Sequence, residues 1–162
     1  MNTRNTLTAL SITLLLSICV STTAQSSDGT QNAQIVFVCE HGAAMSVIAA
    51  AYFNKLAAEH GLQERAIYRG VTPQENLSVP TLKGLHDDGF TLPTAKPALL
   101  TSQDVNAATH IFSVGCTLQS EVAAIGKTEV WSDVPKVSEG YAVSREAIKR
   151  HVKQLIDRLQ RP

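Results

Sequence analysis

The most constraining feature of this sequence is an apolar run that ends in a cysteine and leads, through small residues, to a serine. The run covers Gln34–Val38, the cysteine is Cys39 and the serine is Ser46. Nearly continuous hydrophobic character predicts a strand that is buried on both faces. A helix is predicted over residues 46–60, because apolar side chains recur there at helical spacing. The sequence therefore predicts a strand, a tight loop and a helix in immediate succession.

Strands and helices alternate along the rest of the chain, which predicts a parallel sheet with helices on both faces. Ligands of such sheets bind outside the carboxyl ends of the strands. Cys39, Cys116 and Asp133 each fall just past the end of a predicted strand, so we expect a functional site at this edge. The remaining predicted elements are strands over residues 66–71, 110–114 and 129–131, helices over residues 79–87, 101–107 and 141–159, and an extended segment over residues 91–97.

Composition limits the classes of protein to which the chain can belong. It has 162 residues, which is enough for one domain with a single core. A hydrophobic share of 44% and a charged share of 17% are typical of a globular protein rather than a disordered one. The net charge is zero and the sequence has no basic run, so we expect no nucleic-acid partner.

The N-terminal segment differs from the rest of the sequence. Arg4 is its only charged residue, Leu7–Val20 is largely apolar, and the small residues Ser21–Ala24 follow. This pattern predicts a secretory signal over residues 1–24. The apolar run is short for a membrane span, so we expect no stable membrane association after cleavage. A retained N-terminal anchor and lipidation at Cys19 are the alternatives.

The predicted signal divides the chain into three parts and sets its compartment. Residues 25–33 read as a polar linker and residues 34–162 as the folded domain. The expected location is the periplasm or the exterior of the cell. Removal of the signal would leave Cys39 and Cys116 in a space where disulfides persist, and two cysteines are too few for a disulfide scaffold.

Cys39 is placed to act as a nucleophile. At the start of a loop that leads into a helix, its thiolate would be stabilised by the positive end of the helix dipole. Ser46 could donate a hydrogen bond to the sulfur. The alternative is that Cys39 is a small buried hydrophobic residue at a strand end. Backbone N–H groups of the intervening residues could hold an anion, and these candidate binding residues are Glu40, His41, Gly42, Ala43, Ala44 and Met45.

This pattern resembles the active-site loop of the low-molecular-weight protein tyrosine phosphatases and of the arsenate reductases that share their fold. That loop consists of a cysteine, five residues, an arginine, and a serine or threonine. Here Cys39, residues 40–44 and Ser46 match, and Met45 stands in place of the arginine. The resemblance implies a three-layer α/β/α fold with a central four-stranded parallel sheet. It also implies chemistry that needs no metal or organic cofactor.

The resemblance further implies a role for Asp133, because the family has an aspartate near a proline in this late loop that protonates the leaving group. Here Val134 separates Asp133 from Pro135, whereas the two family residues are usually adjacent. A plain turn aspartate is the alternative. Met45 offers no charge to an anion. His41 could compensate if protonated and turned inward, although an outward-facing loop histidine is the simpler interpretation.

Cys116 follows Gly115 as in some arsenate reductases, which implies a redox role. It could resolve a thiol–arsenate adduct, with glutathione or a similar thiol reductant in place of the second cysteine of thioredoxin-coupled relatives. A packed thiol and a Cys39–Cys116 disulfide are the alternatives. The spacing of these cysteines with His41 and His110 matches no common zinc pattern, so no metal site is predicted.

Three hypotheses for function follow. The first is an exported phosphatase that acts through a phosphocysteine intermediate. Its substrate would be phosphotyrosine in a phosphorylated protein, or another phosphomonoester such as a small molecule. The second is an arsenate reductase-like thiol enzyme. The third is a non-catalytic module that binds an oxyanion, because the loop arginine is absent.

Overall fold

Four parallel strands form the centre of the part of the chain that the computed structural model describes, residues 34–161 apart from 119 and 124. The predicted signal (residues 1–24) and linker (residues 25–33) lie outside the described residues. The elements are β1 (Gln34–Cys39), α1 (Met45–Glu59), β2 (Arg65–Gly70), α2 (Val79–Asp87), α3 (Ser102–Ala107), β3 (Ala108–Val114), α4 (Ser120–Ala123), β4 (Thr128–Trp131), a 3₁₀ helix (Val137–Glu139) and α5 (Tyr141–Leu159).

The strand order β2–β1–β3–β4 puts β1 in the interior of the sheet, hydrogen-bonded to β2 and β3 in parallel. Alternate side chains of β1 face opposite layers, as the period of a strand requires. Ile35 and Phe37 belong to a large core with α1, α2 and α5. Val36 and Val38 belong to a smaller core with α3 and α4. The predicted three-layer α/β/α fold with a four-stranded parallel sheet is therefore confirmed.

The large core holds β1 rigidly through an aromatic cluster. The rings of Phe37, Phe112 and Trp131 lie with their centroids 5.0 to 5.4 Å apart, and Phe53 of α1 lies 6.0 Å from Phe37. All four side chains are almost fully buried. Burial of each contributes on the order of 1.5–3 kcal/mol, so the strand that ends in the cysteine has a stable base.

Periodicity and capping signals account for the helices. The predicted bounds of α2 and α5 are confirmed, and α3 begins with the expected capping box, in which Thr101 and Asp104 bond each other's backbone N–H groups. β3 starts two residues earlier than predicted. α4 and the 3₁₀ helix were not predicted, because such short turns show no periodicity. No helix of the described residues is both long and apolar enough to cross a bilayer.

Candidate functional site

The loop between β1 and α1, here called the cysteine loop (residues 39–46), is shaped by its backbone. Gly42 has a φ of +61°, in the left-handed region that favours glycine. It also lies against Gly70 at the end of β2, where a Cβ on Gly42 would come within 2.7 Å of the Gly70 nitrogen. The loop can therefore curl only because two glycines meet there.

Hydrogen bonds from the segment after β2 fix this curl. The carbonyl oxygens of Cys39, Glu40, His41 and Ala43 accept bonds of 2.7 to 3.2 Å from backbone N–H groups within residues 71–78. Within the described part of the chain, no N–H group of residues 40–44 donates a hydrogen bond to another residue. The loop thus has its acceptors satisfied and its donors available, which is the arrangement that binds an anion.

Cys39 lies at the base of this loop. Its Sγ is 3.1 Å from the Oγ of Ser46, and both side chains are almost fully buried. The first turn of α1 has no acidic residue and no side-chain cap, so the positive end of its dipole is not neutralised by the helix itself. The expected pairing of Cys39 with Ser46 is present. The Cys39 sulfur thus lies within hydrogen-bond distance of a hydroxyl group close to the start of a helix.

A cavity of about 430 Å³ opens over Cys39. This volume is in the range of small-molecule sites. A larger cavity of about 710 Å³ between α1 and α5 has no cysteine in its lining. Of the predicted binding residues, all but Gly42 line the cavity over Cys39, and Ser46 is not among the lining residues either. The lining residues are Cys39, Glu40, His41, Ala43, Ala44, Met45, Gln74, Ser78, Pro80, Gly115, Lys136, Val137 and Ser138.

Asp133 does not line this cavity. Its carboxylate accepts a hydrogen bond of 2.8 Å from Arg150 and lies 2.6 Å from Nε2 of His151, both on α5. His151 is itself fixed by stacking on Trp131, with ring centroids 4.7 Å apart. The hydrogen bond from His151, and then that from Arg150, hold the pKa of Asp133 below its ordinary value. The structure therefore keeps Asp133 ionised and paired with α5, and this geometry does not support the predicted role as an acid beside Cys39.

Cys116 also lies outside the cavity lining. Its Sγ is 3.3 Å from Ser113 Oγ and 3.8 Å from the carbonyl oxygen of Val38, on the side of the smaller core. Burial raises the pKa of the Cys116 thiol, the hydrogen bond from Ser113 opposes this, and the nearby Cys39 and Glu40 raise it further. Cys39 and Cys116 are both free thiols. Within the described residues, no three His, Cys, Asp or Glu side chains come together as a metal site would require.

The comparisons with known proteins rest on structure. The chain matches no protein-family model and no curated protein. It is similar to YfkJ from Bacillus subtilis (19% identity, TM-score 0.69, 79% of this chain and 94% of that one). It is also similar to a low-molecular-weight phosphotyrosine phosphatase from Vibrio cholerae O395 (16%, 0.69, 80% and 97%) and to a thioredoxin-dependent arsenate reductase from Corynebacterium glutamicum (22%, 0.63, 82% and 64%). The chain has the low-molecular-weight phosphatase fold.

Met45, which the sequence resemblance aligns with the arginine of the phosphatase loop, is the first residue of α1. Its side chain is mostly buried and packs on Gly115, where an added Cβ would lie 3.1 Å from both Sδ and Cε. Val134, directly before Pro135, is buried in the same core. Met45 and Val134 therefore both contribute apolar side chains to the large core.

Among the remaining residues that line the cavity, His41 was predicted from the sequence and several others were not. His41 is exposed and its Nδ1 lies 3.1 Å from the carbonyl oxygen of Thr72, which favours the outward-facing interpretation. Lys136 lines the cavity and was not predicted, because an exposed lysine after a proline looks like any surface lysine. Only its position in the loop after β4 could have indicated it. The polar residues Gln74, Ser78 and Ser138 were missed for the same reason.

Proposed function

We propose that the protein is a cysteine-dependent phosphatase that takes a phosphomonoester into the cavity over Cys39. The observation that carries the proposal is the 3.1 Å contact between Cys39 Sγ and Ser46 Oγ at the N-terminus of α1, beneath a loop whose N–H groups are unpaired within the described chain. A nucleophile and an oxyanion site thus share one short segment. The shared fold of phosphotyrosine phosphatases supports the proposal.

The chemistry proceeds in two displacements. The Cys39 thiolate attacks phosphorus, the bond to the leaving oxygen breaks, and a phosphocysteine forms. Water then attacks phosphorus, inorganic phosphate leaves, and the thiolate returns. Ser46 supports the sulfur in both steps by its hydrogen bond. No metal or organic cofactor is required for this route.

The position of Asp133 bears on the substrate. Because its carboxylate is ionised and paired with α5, the leaving oxygen must take its proton from solvent. Phenolate leaves without protonation far more readily than an alkoxide does. The proposed substrates are therefore aryl phosphates, among them phosphotyrosine in a phosphorylated protein, rather than alkyl phosphates.

The direct test is hydrolysis of p-nitrophenyl phosphate by reduced protein of residues 25–162. Cys39→Ser should abolish turnover, because serine is a far poorer nucleophile at this site. Cys116→Ser is the matched control and should retain it, since Cys116 does not line the cavity. Wild-type turnover no higher than that of Cys39→Ser would overturn the proposal.

A second candidate function is oxyanion binding without turnover. It is favoured by the packing of Met45 and Val134, which leaves the cavity without the charges that a fast phosphatase uses. In that case the Cys39→Ser protein would bind phosphate while the wild-type protein hydrolyses nothing. An arginine restored at position 45 separates the two candidates.

Arsenate reduction fits the geometry less well. It needs a second thiol that can attack the adduct at Cys39. Cys116 has a raised pKa and lies outside the cavity lining, so it is a protonated thiol at neutral pH. An arsenate reductase-like reaction would therefore depend on an external thiol reductant, and arsenate-dependent oxidation of glutathione would reveal it.

We also propose that the protein is exported to the periplasm or secreted. The support is the apolar composition of residues 7–20 and the small residues that follow. N-terminal sequencing of the protein from a periplasmic fraction should find a start near residue 25. An intact residue 1 on protein confined to the cytoplasm would contradict export.

A further inference from the structure

We propose that Lys136 supplies the positive charge for an anion bound over Cys39, in place of the arginine that the cysteine loop lacks. This inference rests on the proposed function, because it assigns a new binding residue to the same cavity. It goes beyond the sequence resemblance, which indicates no cation at that position.

The charges around the cavity single out Lys136. Among the described residues that line it, Lys136 is the only lysine or arginine, and Glu40 is the only carboxylate. His41 is exposed and held by the Thr72 carbonyl oxygen. An oxyanion in the cavity would therefore meet backbone N–H groups and one cationic side chain, that of Lys136.

Lys136 is also free to turn toward an anion. Its side chain is exposed, and it forms no ion pair within the described part of the chain. The nearest carboxylate of its own turn, Glu139, accepts a hydrogen bond of 3.3 Å from the backbone N–H of Lys136 instead. No partner has to be displaced when the ammonium group moves over the cavity.

The backbone at Lys136 is well anchored although its side chain is not. The flanking side chains Val134 and Val137 are buried in the large core. Ser144 of α5 donates a hydrogen bond of 2.8 Å to the carbonyl oxygen of Pro135. These contacts fix the origin of the side chain at the cavity wall, and the four-carbon stem of lysine can cover the remaining distance.

A lysine in this role differs from an arginine in a way that can be measured. Arginine grips two oxygens at once, whereas an ammonium group acts as a point charge. Lys136 should therefore contribute affinity for the anion that is sensitive to ionic strength, because its attraction crosses a solvent-exposed cavity.

The experiment uses residues 25–162 with Cys39→Ser as the parent, so that binding is read without turnover. The dissociation constant for inorganic phosphate is measured by titration calorimetry. Lys136→Gln should weaken binding about tenfold, since removal of one charge near the anion costs roughly that much at an exposed site. Lys136→Arg should stay within about threefold of the parent, because the charge is kept. Lys153→Gln, an exposed lysine of α5 outside the cavity, is the matched control and should match the parent.

Equal affinities of the parent and Lys136→Gln would overturn the inference and leave the phosphatase proposal standing. A parent that binds no phosphate would also overturn the inference, while turnover of p-nitrophenyl phosphate by the wild-type protein decides the phosphatase proposal separately. Turnover absent from the wild-type protein, with the tenfold loss present, would overturn the phosphatase proposal alone. A second arm repeats Lys136→Gln in a Met45→Arg background, where the loss should shrink because the arginine supplies the charge. The same tenfold loss in both backgrounds would overturn the claim that Lys136 replaces the arginine.

Discussion

The cysteine loop (residues 39–46) and the late loop (residues 132–136) follow two strands of the same sheet, and they differ in what holds them. The cysteine loop is held by backbone hydrogen bonds and by the contact of Gly42 with Gly70, so its shape depends little on its side chains. The position of the Asp133 carboxylate in the late loop is set by two side chains of α5. An anion site built from backbone can therefore persist while the side chains that assist catalysis change around it.

The two regions come close to each other at Gly115. Met45 of the cysteine loop packs on Gly115, and the carbonyl oxygen of Val134 lies close to the same glycine. The Met45 and Val134 side chains belong to the same large core. Packing at Gly115 therefore joins the end of the cysteine loop to the late loop.

Met45→Arg places a positively charged side chain in the cysteine loop and should have the largest effect on activity. We expect turnover of p-nitrophenyl phosphate to rise between about tenfold and 10³-fold, because an arginine neutralises the transition state in phosphoryl transfer. The upper part of that range applies if the native loop only binds the anion. The measurement is kcat for the reduced protein.

Met45→Leu is the matched control for this change. It keeps an apolar side chain of similar volume and should leave kcat within about twofold. A folded Met45→Arg protein with no gain would contradict the prediction. Turnover would then be limited by the late loop, which offers no acid, rather than by the cysteine loop.

A substitution at Gly42 tests whether the backbone contact with Gly70 holds the cysteine loop in its shape. Gly42→Ala should lower the free energy of unfolding by about 3 kcal/mol, since a left-handed alanine costs ~1–2 kcal/mol and the overlap with Gly70 adds more. Gly61→Ala is the matched control, because Gly61 has a similar φ of +70° but open space around its Cβ position. It should cost about 1 kcal/mol, from the backbone conformation alone. Urea denaturation measures both values, and equal losses would refute the role of the glycine contact.

Features that repeat along the chain or lie within a few residues were predictable. The apolar residues that recur along α5 predicted its bounds. The short loop between Cys39 and Ser46 predicted that these two side chains lie in contact. The side-chain partners of Asp133 were not predictable. They depend on the stacking of His151 on Trp131, which joins α5 to β4 and has no signature in the sequence.

Lys136 illustrates a second limit of prediction. Its significance comes from the cavity that it lines, and the cavity exists only after the sheet has brought the ends of β1, β3 and β4 to one edge. The late loop can supply a charge to the cavity over Cys39 although it is far from the cysteine loop in sequence. The sequence resemblance draws attention to Met45, whereas the place of Lys136 at the cavity can be seen only in the fold.

The smallest expected effect concerns Asp133 itself. Its folded pKa is lowered, so the stabilisation is present above the ordinary carboxyl pKa and is lost as pH falls through the folded value. Because the ion pair with Arg150 is exposed, Asp133→Asn should cost less than about 1 kcal/mol at neutral pH and nothing at a pH where Asp133 is protonated. Asp157→Asn, an exposed aspartate of α5, is the matched control and should change the stability less.

The same variant decides whether the late loop takes part in turnover. A general acid contributes roughly 10²–10⁴-fold, so a change below about threefold in the kcat for phenyl phosphate would mean that Asp133 stays with α5 during the reaction. Phenyl phosphate is the better substrate for this purpose, because phenolate needs a proton more than p-nitrophenolate does. A loss of 10²-fold with phenyl phosphate and little loss with p-nitrophenyl phosphate would contradict the prediction. It would mean that Asp133 leaves His151 and turns toward Cys39 when substrate binds. The late loop would then contribute a catalytic group to the site, as the cysteine loop does.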